Sequence, residues 1–134
     1  GERYGGFSEA APWLSMSARF RKEITVEAQQ KDKDSILAFY KKLIAMRKTY
    51  PVIAEGGISF LETGTDMVLA YQRILGEQQL VVLCNLDGKR QTIKTSGQWK
   101  DFKVLLENYE GREMVLEEGT FTMEPYGFMV LISK

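Results

Sequence analysis

The 134-residue chain contains no histidine, and this absence excludes more than any other feature of its composition. Without histidine the chain cannot assemble a Ser-His-Asp or Cys-His nucleophile system, nor a histidine-ligated zinc or iron site. Its single cysteine can form neither an internal disulfide nor a cysteine-rich metal centre. Eighteen basic and eighteen acidic side chains balance to zero net charge, so electrostatics does not favour nucleic acid or an anionic membrane as a partner. We therefore expect no metal, no cofactor, no nucleic acid and no membrane partner.

Long apolar runs are also missing, so nothing in the sequence predicts a membrane span, and no signal-peptide pattern opens the chain. The low cysteine content favours a cytoplasmic location. The first residue is Gly rather than Met, and we expect the chain to be a segment of a longer protein. With 44% hydrophobic and 11% aromatic residues, the segment can still bury a core.

Residues 1–31 follow no regular period, although a short helical turn is possible over Val26–Lys31. A disordered tail would carry fewer large apolar groups. A long loop of this composition usually lies against a neighbouring surface. Its large apolar residues are Tyr4, Phe7, Trp13, Leu14, Met16 and Phe20.

Residues 32–50 are predicted to form one amphipathic helix. Asp32 or Asp34 is placed to cap its N-terminus, and Pro51 is expected to end it. One face carries an apolar stripe, which we expect to pack against a body outside this chain. The residues of this face are Ile36, Phe39, Tyr40, Leu43, Ile44 and Arg47.

From Gly56 onward, short β-type segments alternate with turn residues, which predicts a mainly β fold, a small antiparallel β-sandwich with hairpin or Greek-key connections. The apolar run 80–84 should be a central strand and should place Cys84 in the core, and residues 128–132 fit the same description. The run 91–95 should be an edge strand. The seven predicted strands are 58–62, 67–75, 80–86, 91–95, 103–107, 120–124 and 127–133.

Several segments resemble, in order, the oligo-1,6-glucosidase group of the alpha-amylase superfamily, glycoside hydrolase family 13. The early segments are similar to the end of the catalytic barrel, and the late ones to the β-domain that follows it. The segments are Gly5-Gly6-Phe7, Ala11-Pro12-Trp13-Leu14, residues 24–29, residues 34–48, residues 81–86 and residues 123–128.

This resemblance implies that residues 1–55 are the tail of a (β/α)8 barrel with its last helix, and that 56–134 are a C-terminal β-domain. The parent would be a retaining alpha-glucosidase that hydrolyses alpha-glucosidic bonds in oligosaccharides. In that family the catalytic carboxylates and the sugar-contacting histidines lie upstream, so we expect no catalytic residue here and no hydrolase activity from the chain alone. Such chemistry needs two carboxyl groups about 5 Å apart, and no motif in this chain supports an enzyme that acts on its own.

Two sets of residues are candidates for sugar contact. Arg3, Tyr4 and Phe7 would belong to a loop near the outer subsites of the parent, although the same loop could simply cover the barrel. Trp99, with Phe102 and Tyr109, could form a sugar platform, which makes a carbohydrate-binding β-module the alternative function. Packing in the core is the favoured interpretation of Trp99. With the barrel missing, exposed apolar faces would favour self-association.

Overall fold

The computed structural model describes residues 3–6, 8–15, 24–95, 99–109, 116–117 and 119–133. By its internal contacts, the chain divides into two compact units, Gly1–Thr49 and Tyr50–Lys134. In the described part of the chain, no helix is long and apolar enough to cross a membrane.

The first unit is helical. A 3-10 helix covers Arg3–Gly6, α1 covers Val26–Lys31, and α2 covers Ile36–Thr49. Thr25 caps α1, because its hydroxyl oxygen accepts a hydrogen bond from the Ala28 amide at 3.1 Å.

The predicted start of the long helix was wrong by four residues. Ser35 precedes α2, and its hydroxyl oxygen accepts a hydrogen bond from the Ala38 amide at 3.2 Å. The Asp32 carboxylate instead accepts from the Asp34 amide at 2.9 Å, so it closes a turn before the helix. No residue of α2 is buried in the described structure, and the packing of its apolar stripe on another body stays a prediction.

Pro51 separates two helices, because α2 ends at Thr49 and the short helix α3 runs over Pro51–Glu55. Pro51 occupies the first turn of α3, where its missing N–H has no partner to lose. α3 belongs to the second unit, whose first residue is Tyr50. The predicted domain division after residue 55 stays a prediction.

In the part of the second unit that the structure describes there are eight strands, and all seven predicted strands are present to within two residues at either end. Only the two-residue β6 was not predicted. The strands are β1 Gly57–Phe60, β2 Val68–Leu75, β3 Gln78–Asn85, β4 Gln91–Lys94, β5 Lys103–Glu107, β6 Leu116–Glu117, β7 Thr120–Met123 and β8 Phe128–Ile132.

The strands form two antiparallel sheets, one of five strands in the order β1-β2-β3-β8-β5 and one of three in the order β4-β7-β6. β3 and β8 are central neighbours, and β4 is an edge strand, which confirms the predictions for the segments at 80–84, 128–132 and 91–95. The mainly β, antiparallel fold class is therefore confirmed.

The main core lies between the two sheets. It joins Val81, Leu83 and Leu131 of the large sheet to Ile93 and Phe121 of the small one. A second cluster lies on the opposite, outer face of the large sheet, where α3 covers one end. These two clusters give the large sheet an inner face and an outer face, both of them apolar.

Gly56 allows α3 to approach the sheet closely. A Cβ at this position would lie 2.6 Å from the carbonyl oxygen of Val52 and 3.1 Å from that of Ile74. Both atoms belong to backbone that cannot move aside cheaply, so the join between α3 and β1 requires glycine.

Candidate functional site

Arg3 and Tyr4 are the described members of the predicted sugar-contact loop. The Arg3 guanidinium carbon lies 5.1 Å from the centroid of the Tyr4 ring, within cation–π distance. Tyr4 has a φ of 56°, an uncommon conformation for a residue with a bulky side chain. Phe7, Met16 and Phe20 lie outside the described residues. Sugar contact by Arg3, Tyr4 and Phe7 stays a prediction.

Among the described residues, Trp13 is the most exposed large hydrophobic side chain, with 93% of its surface accessible. The loop that carries it was expected to lie against a neighbouring surface, and within the described residues nothing buries Trp13. An indole this exposed is available to a surface outside the chain.

Trp99 is buried, with 5% of its surface exposed, in the main core with Ile93 and Phe121. Phe102 packs against the same core. The Nε1 of Trp99 is buried and has no hydrogen-bond partner among the described residues. The structure confirms the core interpretation and contradicts the sugar platform at Trp99, because neither face of the indole is free to stack on a ring.

A different aromatic stands at the end of the large sheet. Tyr126, in the turn between β7 and β8, has a φ of 53° and leaves 67% of its surface exposed. Its amide donates to the Asp87 carbonyl oxygen at 3.0 Å, and its own carbonyl oxygen accepts from the Asn108 side chain at 2.9 Å. A Cβ placed on Gly88 would lie 3.1 Å from the Tyr126 hydroxyl, so the phenol lies along the Gly88 backbone.

Tyr109 lies on the same turn. Its hydroxyl donates to the Pro125 carbonyl oxygen at 2.6 Å, and its ring reaches the backbone of Gly127. Tyr109 remains partly exposed. Tyr126 therefore belongs to the turn 125–127, and Tyr109 is tied to the backbone of that turn by its hydroxyl.

Asn85, only 2% exposed, holds this end of the sheet together. Its amide nitrogen donates to the carbonyl oxygens of Lys89 at 2.8 Å and Glu124 at 2.7 Å, and its amide oxygen accepts from the Asp87 amide at 3.0 Å. One buried side chain thus fixes the connection 86–90 against the turn that carries Tyr126.

Arg90 and Glu124 form a two-pronged ion pair beside the turn. The Nε and a terminal nitrogen of Arg90 donate to the two carboxylate oxygens of Glu124 at 3.0 and 2.8 Å. The hydrogen bond and the charge of Glu124 raise the pKa of Arg90 above its ordinary value. Both partners of this ion pair lie close in sequence to residues that Asn85 holds together, because Asn85 donates to the carbonyl oxygens of Lys89 and Glu124.

The outer face of the large sheet is the other notable surface. Register pairs Ile58 with Arg73 and Phe60 with Tyr71, so both β1 side chains lie on this face. Phe60 leaves 73% of its surface exposed, and Ile58 and Leu69 are also exposed. These three residues are called the outer apolar patch below.

Cys84 was predicted to lie in the core but is only half-buried, among residues of the outer-face cluster. Because its strand position follows the buried Leu83, its side chain points to the opposite face. Burial raises the pKa of its thiol, which makes it a poor nucleophile at neutral pH.

The described carboxylates do not gather into a metal site, because no group of three or more potential metal ligands occurs in the described ranges. An open groove of about 440 Å³ lies beside the β1–β2 connection, and Glu62 and Asp66 line it together with Phe60. Glu110, Glu113 and Glu118 lie outside the described residues.

The comparisons with known proteins agree with the two-part organisation. The model of the alpha-amylase catalytic domain matches residues 1–56, and that of the alpha-amylase SusG C-terminal domain matches residues 68–130. The chain belongs to the alpha-amylase family, glycoside hydrolase family 13, and corresponds to the C-terminal portion of its alpha-glucosidase-type enzymes.

Individual relatives indicate which enzymes of the family this chain is similar to. An oligo-1,6-glucosidase of Halalkalibacterium halodurans is 30% identical over 98% of this chain and 24% of its own length. A trehalose-6-phosphate hydrolase of Bacillus subtilis is 33% identical over 94% of this chain and 22% of its own. The solved trehalose-6-phosphate hydrolase of Bacillus licheniformis is 29% identical, with a TM-score of 0.76 over 96% of this chain and 24% of that one. The chain thus spans about a quarter of the length of these relatives.

Proposed function

We propose that this chain is the C-terminal part of a retaining alpha-glucosidase of the oligo-1,6-glucosidase type, which hydrolyses alpha-glucosidic bonds in oligosaccharides. The observation that carries the proposal is the similarity to an oligo-1,6-glucosidase over 98% of the chain. The catalytic carboxylates would come from barrel strands outside this sequence. A cytoplasmic location, suggested by the low cysteine content, belongs to the same proposal.

We assign the second unit a structural role in the parent, in which its outer apolar patch packs on a surface that lies outside this chain. The surfaces of monomeric proteins rarely leave a phenylalanine as exposed as Phe60 beside other apolar side chains. Burying the exposed part of one phenylalanine contributes roughly 3 kcal/mol. Contact through three such side chains would be enough to hold a domain in place.

The activity is tested first on the chain alone. Purified chain should not turn over p-nitrophenyl alpha-glucoside or isomaltose, and turnover that persists through repurification would contradict the proposal. In the positive test, residues 50–134, which include α3, replace the corresponding C-terminal domain of the Halalkalibacterium halodurans enzyme. This chimaera should keep isomaltose hydrolysis, and its failure to fold or act would count against the proposed kinship.

The packing role is tested in the same chimaera with Phe60→Lys. The matched control is Ser59→Lys, because Ser59 is exposed on the opposite face of the same strand. Phe60→Lys should lower the melting temperature and Ser59→Lys should not. In the 134-residue chain, where the patch has no barrel to cover it, Phe60→Lys should instead reduce self-association in sedimentation velocity.

A further inference from the structure

Tyr126 combines an exposed side chain with a backbone that is hydrogen-bonded on both sides. Most exposed aromatic side chains change rotamer freely, and they lose that freedom when a ligand binds. The Tyr126 backbone is fixed by hydrogen bonds to Asp87 and Asn108, and its phenol lies along Gly88. Much of the entropic cost of presenting a flat ring has therefore been met before any ligand arrives.

The backbone of Tyr126 is also strained. A φ of 53° suits glycine or asparagine and costs a tyrosine of order 1 kcal/mol. The adjacent Gly127 shows that the turn can accept glycine at its neighbouring position. A tyrosine at a position whose backbone conformation favours glycine is explained if its ring has a role in binding.

Two side chains of the connection 86–90, which is hydrogen-bonded to the Tyr126 amide through the Asp87 carbonyl oxygen, offer the kinds of hydrogen bond that sugar hydroxyls make. The Asp87 carboxylate, which receives one hydrogen bond from Gln91 at 2.8 Å, retains further acceptor capacity. Arg90 uses two of its nitrogens on Glu124 and has more N–H groups to offer. A pyranose ring presents an apolar C–H face for stacking and a rim of hydroxyls that both donate and accept.

We propose that the turn 125–127, with Tyr126 as its stacking surface and Tyr109 beside it, binds a glucose unit of an alpha-gluco-oligosaccharide. The site lies in the β-domain and takes part in no bond cleavage. It would hold the substrate chain on the enzyme surface. The choice of an alpha-glucan rests on the proposed function.

The test is a titration of the full 134-residue chain with isomaltopentaose, followed by amide chemical shifts. Shifts should concentrate at Gly88, Asn108 and Gly127. Tyr126→Gly should weaken binding about tenfold or more, whereas its stability should be equal to or above that of the parent, because strain is relieved. Tyr126→Phe should keep the affinity, since the ring remains.

The control variant is Tyr40→Ala, which removes an exposed tyrosine of the first unit and should leave binding unchanged. The proposal is overturned if isomaltopentaose shifts no amide near the turn, or if Tyr126→Gly binds as the parent chain does. Because the titration of the parent chain decides on its own, a variant that fails to fold does not leave the question open.

A titration with cellopentaose, a β-linked glucan, distinguishes failure of the proposed sugar site from failure of the proposed function. Binding of cellopentaose without isomaltopentaose would overturn the alpha-glucan site, but the hydrolase assays of the chimaera would be unaffected. Loss of hydrolysis in the chimaera with intact isomaltopentaose binding would overturn the proposed function and leave the site in place.

Discussion

Replacing the buried Asn85 by aspartate tests the network that supports the Tyr126 turn. The change keeps the size of the side chain and the oxygen that accepts from Asp87. It replaces the amide that donates to Lys89 and Glu124 by a second carboxyl oxygen. Two carbonyl oxygens would then face an oxygen instead of a donor.

The expected loss follows from the two hydrogen bonds removed. A buried acceptor left without its donor costs about 1–3 kcal/mol, so two such acceptors predict a loss of about 4 kcal/mol at neutral pH. For a domain of this size each kcal/mol lowers the melting temperature by about 4–8 °C, which predicts a fall of roughly 15–30 °C. A loss this large would leave the second unit barely folded.

Lowering the pH should partly restore the stability of the Asn85→Asp variant. Burial next to two carbonyl oxygens raises the pKa of the introduced carboxyl above its unfolded value. The folded state then binds more protons than the unfolded state, so stability falls as pH rises through the unfolded pKa and is regained below it. A protonated carboxyl can also donate one of the two lost hydrogen bonds.

Urea unfolding of Asn85→Asp, measured between pH 4 and 7 against the parent chain, checks both statements. Asn108→Asp is the matched control, because Asn108 is also hydrogen-bonded to the turn but is exposed, so its new charge stays hydrated. A loss below about 1 kcal/mol for Asn85→Asp, or a loss equal to that of the control, would refute the reasoning.

Three further predictions concern packing and reactivity. Gly56→Ala should destabilise by about 2 kcal/mol, because its Cβ would meet the Val52 carbonyl oxygen, whereas Gly57→Ala, whose Cβ would meet no atom nearer than 4.0 Å, should change little; urea midpoints decide. Leu131→Ala, at a position 1% exposed, should cost about 3 kcal/mol in the same assay, and a loss under about 1 kcal/mol would mean that the core rearranges. Cys84 should react with iodoacetamide more slowly than the unfolded chain at every pH, and the pH profile of its reaction rate should be displaced to higher pH. Because the folded thiol pKa is raised, the free energy of unfolding should fall as the pH rises from the unfolded thiol pKa towards the folded one.

The strands were predictable because apolar runs and turn residues alternate at short, regular intervals. The run 80–84 has no polar residue, and the structure places β3 between two neighbours with apolar groups on both faces. β6 was missed because two residues cannot show a period. Its pairing with β7 is a tertiary contact that no local pattern reports.

The ends of the helices were less predictable, because several residues could serve as caps. Asp32, Asp34 and Ser35 are all good N-cap residues, and only the structure shows that Ser35 takes the role. Ser35 also donates to the Gln29 carbonyl oxygen at 2.7 Å, a contact six residues back along the chain. That second bond, which sequence spacing alone does not indicate, favours Ser35 over its neighbours.

The candidate sugar site moved from Trp99 to Tyr126 for a related reason. Residue type suggested tryptophan, but exposure depends on where the chain turns, and Trp99 turns into the core. Tyr126 carried a signal that could have been used: it lies between Pro125 and Gly127, in a turn that must project a side chain. A positive φ at a tyrosine, however, can only be seen in a structure.

The outer apolar patch carries the strongest link between sequence pattern and domain organisation. In β1, Gly57-Ile58-Ser59-Phe60, apolar and small polar residues alternate, which is the pattern of a strand with one buried face. In the structure all four residues of β1 are exposed, and the apolar Ile58 and Phe60 lie uncovered on the outer face of the sheet. The alternating pattern of β1 is typical of a strand with one buried face, yet its apolar side chains are not buried within this unit. This combination is expected of a surface that contacts another domain.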